Sequence, residues 1–157
     1  MEQSEISIPV VAKFVADKGY ERIMMPRRST SGSAGYDFFA NEKITIMPGD
    51  SVVVDTHIKA NIDPDWVLML FPRSGLGFKF GMSLANTVGV IDSDYYSTEA
   101  GKGVIKAKLV NPSNVAVEIP RGNAFMQGIF MPFGITEDDN PGKAERNGNG
   151  FGSTDKA

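Results

Sequence analysis

Ile105-Lys106-Ala107-Lys108-Leu109 alternates strictly between apolar and cationic side chains. Successive side chains of an extended chain point to opposite faces, so Ile105, Ala107 and Leu109 face a core while both lysines face water. Val115, Val117 and Ile119 repeat the pattern and run into a Pro120-Arg121-Gly122-Asn123 turn. Upstream, Val67-Leu68-Met69-Leu70-Phe71 is apolar throughout, as is most of Phe125 to Met131, which predicts strands covered on both faces. Ile44-Thr45-Ile46 leads through Met47-Pro48-Gly49-Asp50 into Ser51-Val52-Val53-Val54, a strand, a turn and a strand. Ile6 to Val15 is β-branched, with Pro9 marking an edge or a strand start. No window of eleven or more residues carries a helical period; Ser74 to Phe80 is the best short helix candidate. Many short strands with Gly/Pro turns predict an all-β sandwich or barrel, a jelly roll among the options.

The composition bounds the function. A chain of 157 residues is long enough for one domain and short for two. Without cysteine there are no disulfides, thiolate metal sites or cysteine nucleophiles, and the single histidine, His57, excludes a His-pair metal site within one chain. A formal net charge of -3 argues against a general duplex-DNA binder. No apolar run reaches the roughly 18 residues that span a bilayer. The expectation is a soluble, cytoplasmic protein with neither nucleic acid nor membrane as partner.

Several stretches carry chemistry. Phe71-Pro72-Arg73-Ser74-Gly75-Leu76-Gly77 sets a guanidinium and a hydroxyl at the start of the helix candidate, where an anion could bind; the plainer reading is a strand-to-helix turn with Ser74 as N-cap. Asn86 to Tyr95 includes Asp92-Ser93-Asp94, which offers a general base toward water or simply a hairpin turn. Tyr96 to Lys102, polar and small, reads as a long hairpin loop. Ser31-Gly32-Ser33-Ala34-Gly35-Tyr36-Asp37 is a Gly/Ser loop ending in an acid, suited to an Asx-turn or a magnesium shell. His57 reads as structural, and Trp66 as a packing residue at a strand start. Glu137 to Ala157 holds only Ala144, Phe151 and Ala157 as apolar side chains and cannot bury enough surface to order alone. Within it, Arg146-Asn147-Gly148-Asn149-Gly150-Phe151-Gly152-Ser153-Thr154 combines a cation, close-approach glycines, hydroxyls and one aromatic ring, the makings of a segment that orders on a nucleotide. Neither a P-loop nor a G-x-S-x-G elbow occurs.

Taken in order, Ser33 to Asp37, Pro72 to Gly77, Gly89 to Tyr95, Arg121-Gly122-Asn123 through Gln127, and Gly150 to Thr154 resemble the five motifs of the trimeric dUTP pyrophosphatases. The resemblance implies a jelly-roll-like, distorted β-barrel over 1–136 with one short helix, and a flexible arm over 137–157 that closes on the site. It implies a homotrimer whose sites draw motifs from all three chains, and hydrolysis of dUTP to dUMP and pyrophosphate with Mg2+ on the triphosphate. That activity keeps uracil out of DNA and supplies dUMP. By position, Asp92 is the base for the attacking water. Tyr95 packs against the deoxyribose; Asn86 and the backbone near Gly89 read uracil in a tight strand hairpin. Arg73, Ser74, Gly75 and Gln127 hold phosphates, and Asp37 acts through magnesium-bound waters. Arg146, Ser153 and Thr154 reach the γ-phosphate while Phe151, beside Gly152, stacks on uracil.

The sequence departs from the family pattern at the lengthened stretch 96–102, at Ala124 where arginine is frequent, at Asn147 and Asn149, and at Asp155. Two other functions fit parts of the pattern: a dCTP deaminase-like enzyme of the same superfamily, and a nucleotide-responsive regulatory protein meeting a partner at 96–102.

Overall fold

The computed structural model describes residues 7–146 and 148–152. Eleven strands and one helix follow one another: β1 (Ala12–Ala16), β2 (Tyr36–Phe39), β3 (Ile44–Ile46), β4 (Ser51–Asp55), β5 (Ile58–Ile62), β6 (Trp66–Pro72), α1 (Ser74–Phe80), β7 (Ser83–Leu84), β8 (Gly89–Ile91), β9 (Lys106–Val110), β10 (Val117–Ile119) and β11 (Ala124–Pro132). They form an all-β, jelly-roll-like barrel, built from antiparallel sheets ordered β2-β11-β6-β8, β4-β9-β7, β1-β5 and β10-β3.

The alternation in β9 holds: Ile105, Ala107 and Leu109 are buried, and Lys106 and Lys108 are exposed. Val117 and Ile119 of β10 are also buried. In β6, Leu68 and Leu70 are fully enclosed while Val67, Met69 and Phe71 on the other face are half-buried. Burying each such side chain contributes roughly 1.5–3 kcal/mol, and Phe38, Ile46, Ile58, Leu68, Leu70, Phe125 and Met126 form one continuous core. The β11/β2 ladder shifts register between Ala124 and Met126, so two residues of β11 oppose one of β2 and three consecutive residues are buried. Trp66 opens β6 and packs on the core, as its position suggested.

Helix α1 occupies the predicted span, but its cap differs. Arg73 is the N-cap, with no side-chain cap bond, and Ser74 is the first helical residue. Ser74 is therefore left free to face a ligand rather than its own helix. Gly81 ends the helix in the left-handed conformation, its N–H donating to the Gly77 carbonyl.

The hairpins expected around Asp92 are not there. β8 pairs with β6, whereas β7 and β9 pair with each other in a different sheet. The turn at Asn86 and the stretch 96–102 are thus crossings between sheets. Asp92 to Asp94 does not turn back on β8; it enters a 3₁₀ turn, Ser93–Tyr95, with Asp92 as its N-cap.

Candidate active site

Strand β6 organises the site. β11 lies on one side of it and β8 on the other. Arg73 follows its C-terminal end directly, and Asp92 follows Ile91, which is paired with Leu68 near its N-terminal end. The predicted site residues collect at both ends.

At the Arg73 end, a cleft of about 310 Å³ is lined by Ser33, Gly35, Asp37, Arg73, Ser74 and Gln127, among others. This brings together three of the predicted motifs. Gln127 sits opposite Asp37 in the β11/β2 ladder, so its side chain lies along the same edge. Gly35 lies against Gln127: a Cβ there would stand 2.5 Å from its Oε1 and would displace the amide from its present position. The loop before β2 is tied by Arg28, whose Nη1 donates to the carbonyls of Ser31 and Ser33. Asp37 accepts a 2.8 Å bond from the Ser29 hydroxyl, a partner that the sequence did not single out. A second concavity beside the first shares Asp37 and Arg73 and adds Arg27 and Arg28, so the surface is cationic around one carboxylate. Gly75, exposed on the first turn of α1, has open space where a Cβ would be.

At the Asp92 end, a smaller pocket of about 180 Å³ is lined by Leu70, Asn86, Gly89, Tyr95, Gly150 and Phe151, among others. Tyr95 is buried, and its hydroxyl donates to the Val104 carbonyl at 2.5 Å. Burial pushes the phenol above its ordinary value of 10.0, reinforced by Asp55 and opposed by Arg146. Asn86 is held in a tight turn, with the Val88 N–H on its carbonyl and Thr87 at a φ of 69°. Gly89 lines the pocket beside Leu70, its partner in the ladder, and a Cβ on Gly89 would lie 2.8 Å from the Leu70 Cβ.

The C-terminal segment returns to this pocket. Arg146 donates from Nη2 to Asp92 Oδ2 and from Nε to Asp94 Oδ1, both at 2.9 Å. Charge-assisted bonds from one guanidinium to two carboxylates fix its plane as well as its position. Asp94 thus anchors Arg146, a role that the sequence, which offered Asp92-Ser93-Asp94 as a base or a turn, did not assign. Gly148 is buried, its carbonyl accepting from the Gly103 N–H at 3.0 Å. Gly150 presses on the Tyr95 ring, where a Cβ would come within 2.8 Å of Cε2. Phe151 stands at the pocket's mouth, 79% exposed with a φ of 55°, beside exposed Gly152. Ser153 and Thr154 lie outside the described residues, as do Asn147 and Asp155.

The structure therefore gathers the predicted residues into two half-sites. Asp37, Arg73, Ser74 and Gln127 share one; Asn86, Gly89, Tyr95, Arg146 and Phe151 share the other, with Asp92 held at its rim by Arg146. His57, with a φ of 55°, stacks on Tyr20 at 3.7 Å between β4 and β5 and belongs to neither half-site.

These two half-sites draw on all five motifs, the fifth through Gly150 and Phe151, and the family model described as dUTPase matches residues 21–155. The chain belongs to the dUTPase family. Among dUTPases, it is 41% identical over 133 residues to the deoxyuridine 5′-triphosphate nucleotidohydrolase of Lactococcus lactis, covering 84% of this chain and 88% of that one. The corresponding Escherichia coli enzyme is 38% identical over 136 residues, covering 82% and 85%. The crystal structure of the Streptococcus mutans dUTPase superposes with a TM-score of 0.71 at 38% identity, over 79% of this chain and 98% of that one. A dUTPase of staphylococcal phage phi11, at 20% identity and a TM-score of 0.68 over 85% and 97%, shares the fold.

No group of three or more His, Asp or Glu side chains converges as a metal shell among the described residues. Asp37 is one carboxylate in a cleft shared with Arg73, Ser74 and Gln127. Such a donor set suits magnesium that arrives on a polyphosphate, because that ion keeps several waters and takes only one or two carboxylates from a protein. No helix among the described residues is long and apolar enough to cross a membrane.

Proposed function

We propose that this dUTPase-family chain hydrolyses dUTP to dUMP and pyrophosphate, with the uracil nucleoside at the Tyr95 half-site and the phosphates at the Arg73 half-site. The observation that carries the reading is the placement of Asp92 at the rim of a pocket closed by Asn86, Tyr95 and Phe151, in a chain whose relatives are named for this reaction. The same relatives count against the deaminase reading.

Asp92 takes a proton from water, and the water oxygen bonds to the α-phosphorus as its bond to the bridging oxygen breaks. Pyrophosphate leaves with the electron pair of that bond. Reactions of this kind need positioning and charge neutralisation more than covalent help. Arg73, Ser74, the Gly75 backbone and Gln127 supply both at the phosphates. When the arm closes on substrate, Arg146 exchanges Asp92 and Asp94 for the γ-phosphate, joined there by Ser153 and Thr154. Asp37 would meet, through water, a magnesium ion carried by the triphosphate, and that ion would supply further neutralisation of the phosphate charge. Tyr95 excludes a ribose 2′-hydroxyl by shape, since an apolar ring face leaves such a group unpaired. Asn86 and the Gly89 backbone read the uracil edge, and Phe151 stacks on it.

The geometry of β6 adds a requirement. Asp92 is level with Val67 in the β6/β8 register, so six strand residues, roughly 20 Å at about 3.3 Å each, separate it from Arg73. Arg73 and Asp92 of one chain are thus poorly placed to meet at one α-phosphate, which supports a site completed by a second copy. We infer the homotrimer typical of the family, with three sites at chain boundaries. Turnover of dUTP, with Arg73→Ala and Asp92→Asn each inactive alone, tests the reading; retained activity in either contradicts it.

A further inference from the structure

Lys59 and Asp17 form an ion pair that is almost wholly enclosed, at 3.1 Å, with side-chain exposures of 4% and 7%. They lie on β5 and just after β1, two strands that pair with each other and carry none of the motif residues. Enclosing two ions costs desolvation that their attraction does not reliably repay, so such a pair is a poor explanation of stability. Its other bonds show what it holds. The remaining two protons of the Lys59 ammonium go to the carbonyls of Ser97 and Glu99, at 2.9 and 2.6 Å. Both Asp17 carboxylate oxygens accept from the Gly101 N–H at 3.0 Å. Apart from the N–H of the neighbouring Lys18, which also bonds Asp17, the charge-assisted bonds beyond the pair itself grip the backbone of 97–101. That segment reads Ser-Thr-Glu-Ala-Gly and has no large apolar side chain with which to anchor itself.

This clamped segment is also the surface on which the C-terminal arm rests. Gly148, at a φ of 75°, approaches so closely that a Cβ would stand 2.6 Å from the Ser97 Cβ, 3.0 Å from the Lys102 Cβ and 3.2 Å from the Gly103 nitrogen. The Gly103 N–H then fastens the Gly148 carbonyl. Two residues before this dock is Arg146, on Asp92 and Asp94; two residues after it is Gly150, on Tyr95.

We propose that Lys59 and Asp17 are positioning residues for the arm. By fixing the 97–101 backbone they set the dock for Gly148, and through it the placement of Arg146 and Gly150 at the active site. This rests on the reading that the arm serves catalysis at Asp92, and the test separates the two.

In the full-length chain, Lys59→Met removes the ammonium while keeping a long stem. Hydrogen–deuterium exchange without nucleotide is expected to accelerate at 97–103 and at 148–150, with β6 and β11 as protected as in the wild type. Because a displacement of about 1 Å at a site can cost on the order of a hundredfold in rate, kcat/KM on dUTP is expected to fall ten- to a hundredfold. In a Gly148→Ala background, where the dock is already lost, Lys59→Met is expected to add less than twofold. Faster exchange at 97–103 with 148–150 unchanged, or full additivity with Gly148→Ala, overturns the proposal. If Lys59→Met does not fold, Asp17→Asn, which keeps an acceptor for Gly101, takes the same measurements with the same expectations. The exchange readout needs no turnover, so a wild-type chain inactive on dUTP defeats the functional reading while leaving this one to be judged by exchange.

Discussion

Arg73 and Asp92 stand at opposite ends of strand β6, the first continuing from Pro72 and the second level with Val67 through the Leu68–Ile91 pairing. The proposed mechanism uses both at one phosphate chain, so the proposed assembly would supply them from different chains. Arg73→Ala and Asp92→Asn subunits, each inactive as pure proteins, are therefore expected to recover activity when unfolded together and refolded. With random assembly, about one quarter of the sites contain both intact residues. Activity of the mixture near that fraction supports a shared site, and none at all shows that both residues act from one chain.

Asp92→Asn keeps the size of the side chain and removes its capacity as a base. Turnover is expected to drop by about 10²–10⁴-fold, with dUTP binding retained in a calorimetric titration. Loss of binding in step with turnover would make Asp92 a ligand contact instead.

Two glycines with equally tight surroundings should behave differently. A methyl group at Gly89 collides with the Leu70 Cβ at 2.8 Å inside the β6/β8 sheet, so Gly89→Ala is expected to destabilise the fold by about 1–3 kcal/mol in denaturant unfolding. At Gly150 the collision is with the Tyr95 ring, between arm and pocket. Gly150→Ala is expected to leave Tm unchanged and lower kcat/KM at least tenfold. Equal loss of Tm in both would show that the arm belongs to the folding unit.

Asp17 supplies a pH signature. Burial raises its carboxyl, but the Gly101 N–H, Lys59 and the Lys18 N–H together outweigh that and hold it below the usual 3.8. A carboxyl whose folded pKa is depressed stabilises the fold fully above its unfolded value and loses that contribution as pH falls through the folded one. The Tm difference between wild type and Asp17→Asn is thus expected to be constant near neutrality and to shrink below about pH 4. A difference that stays flat to pH 2 would contradict it.

Much of the barrel was legible because one face of each strand meets a core. Ile105 to Leu109 announces its two faces by alternation, and Ser74 to Phe80 sits between a strand end and a left-handed glycine. Pairing partners were not legible. Nothing local in Gly89 to Ile91 says that it joins β6 rather than folding back as a hairpin, since the ladder is made with residues about twenty positions upstream. Lys59 was also silent: it alternates away from Ile58 and Ala60 as a surface residue would, and what encloses it, Asp17 and the 97–101 backbone, is distant in sequence. The motif residues were found by their order, whereas Asp94 and Ser29, which hold Arg146 and Asp37, became visible only with coordinates.

The most direct measurement is incubation of the purified chain with magnesium and, separately, dUTP, dCTP, UTP and dTTP, with the products resolved. The account predicts dUMP and pyrophosphate from dUTP alone. Ammonia from dCTP, comparable hydrolysis of UTP, or binding of dUTP without turnover would contradict it.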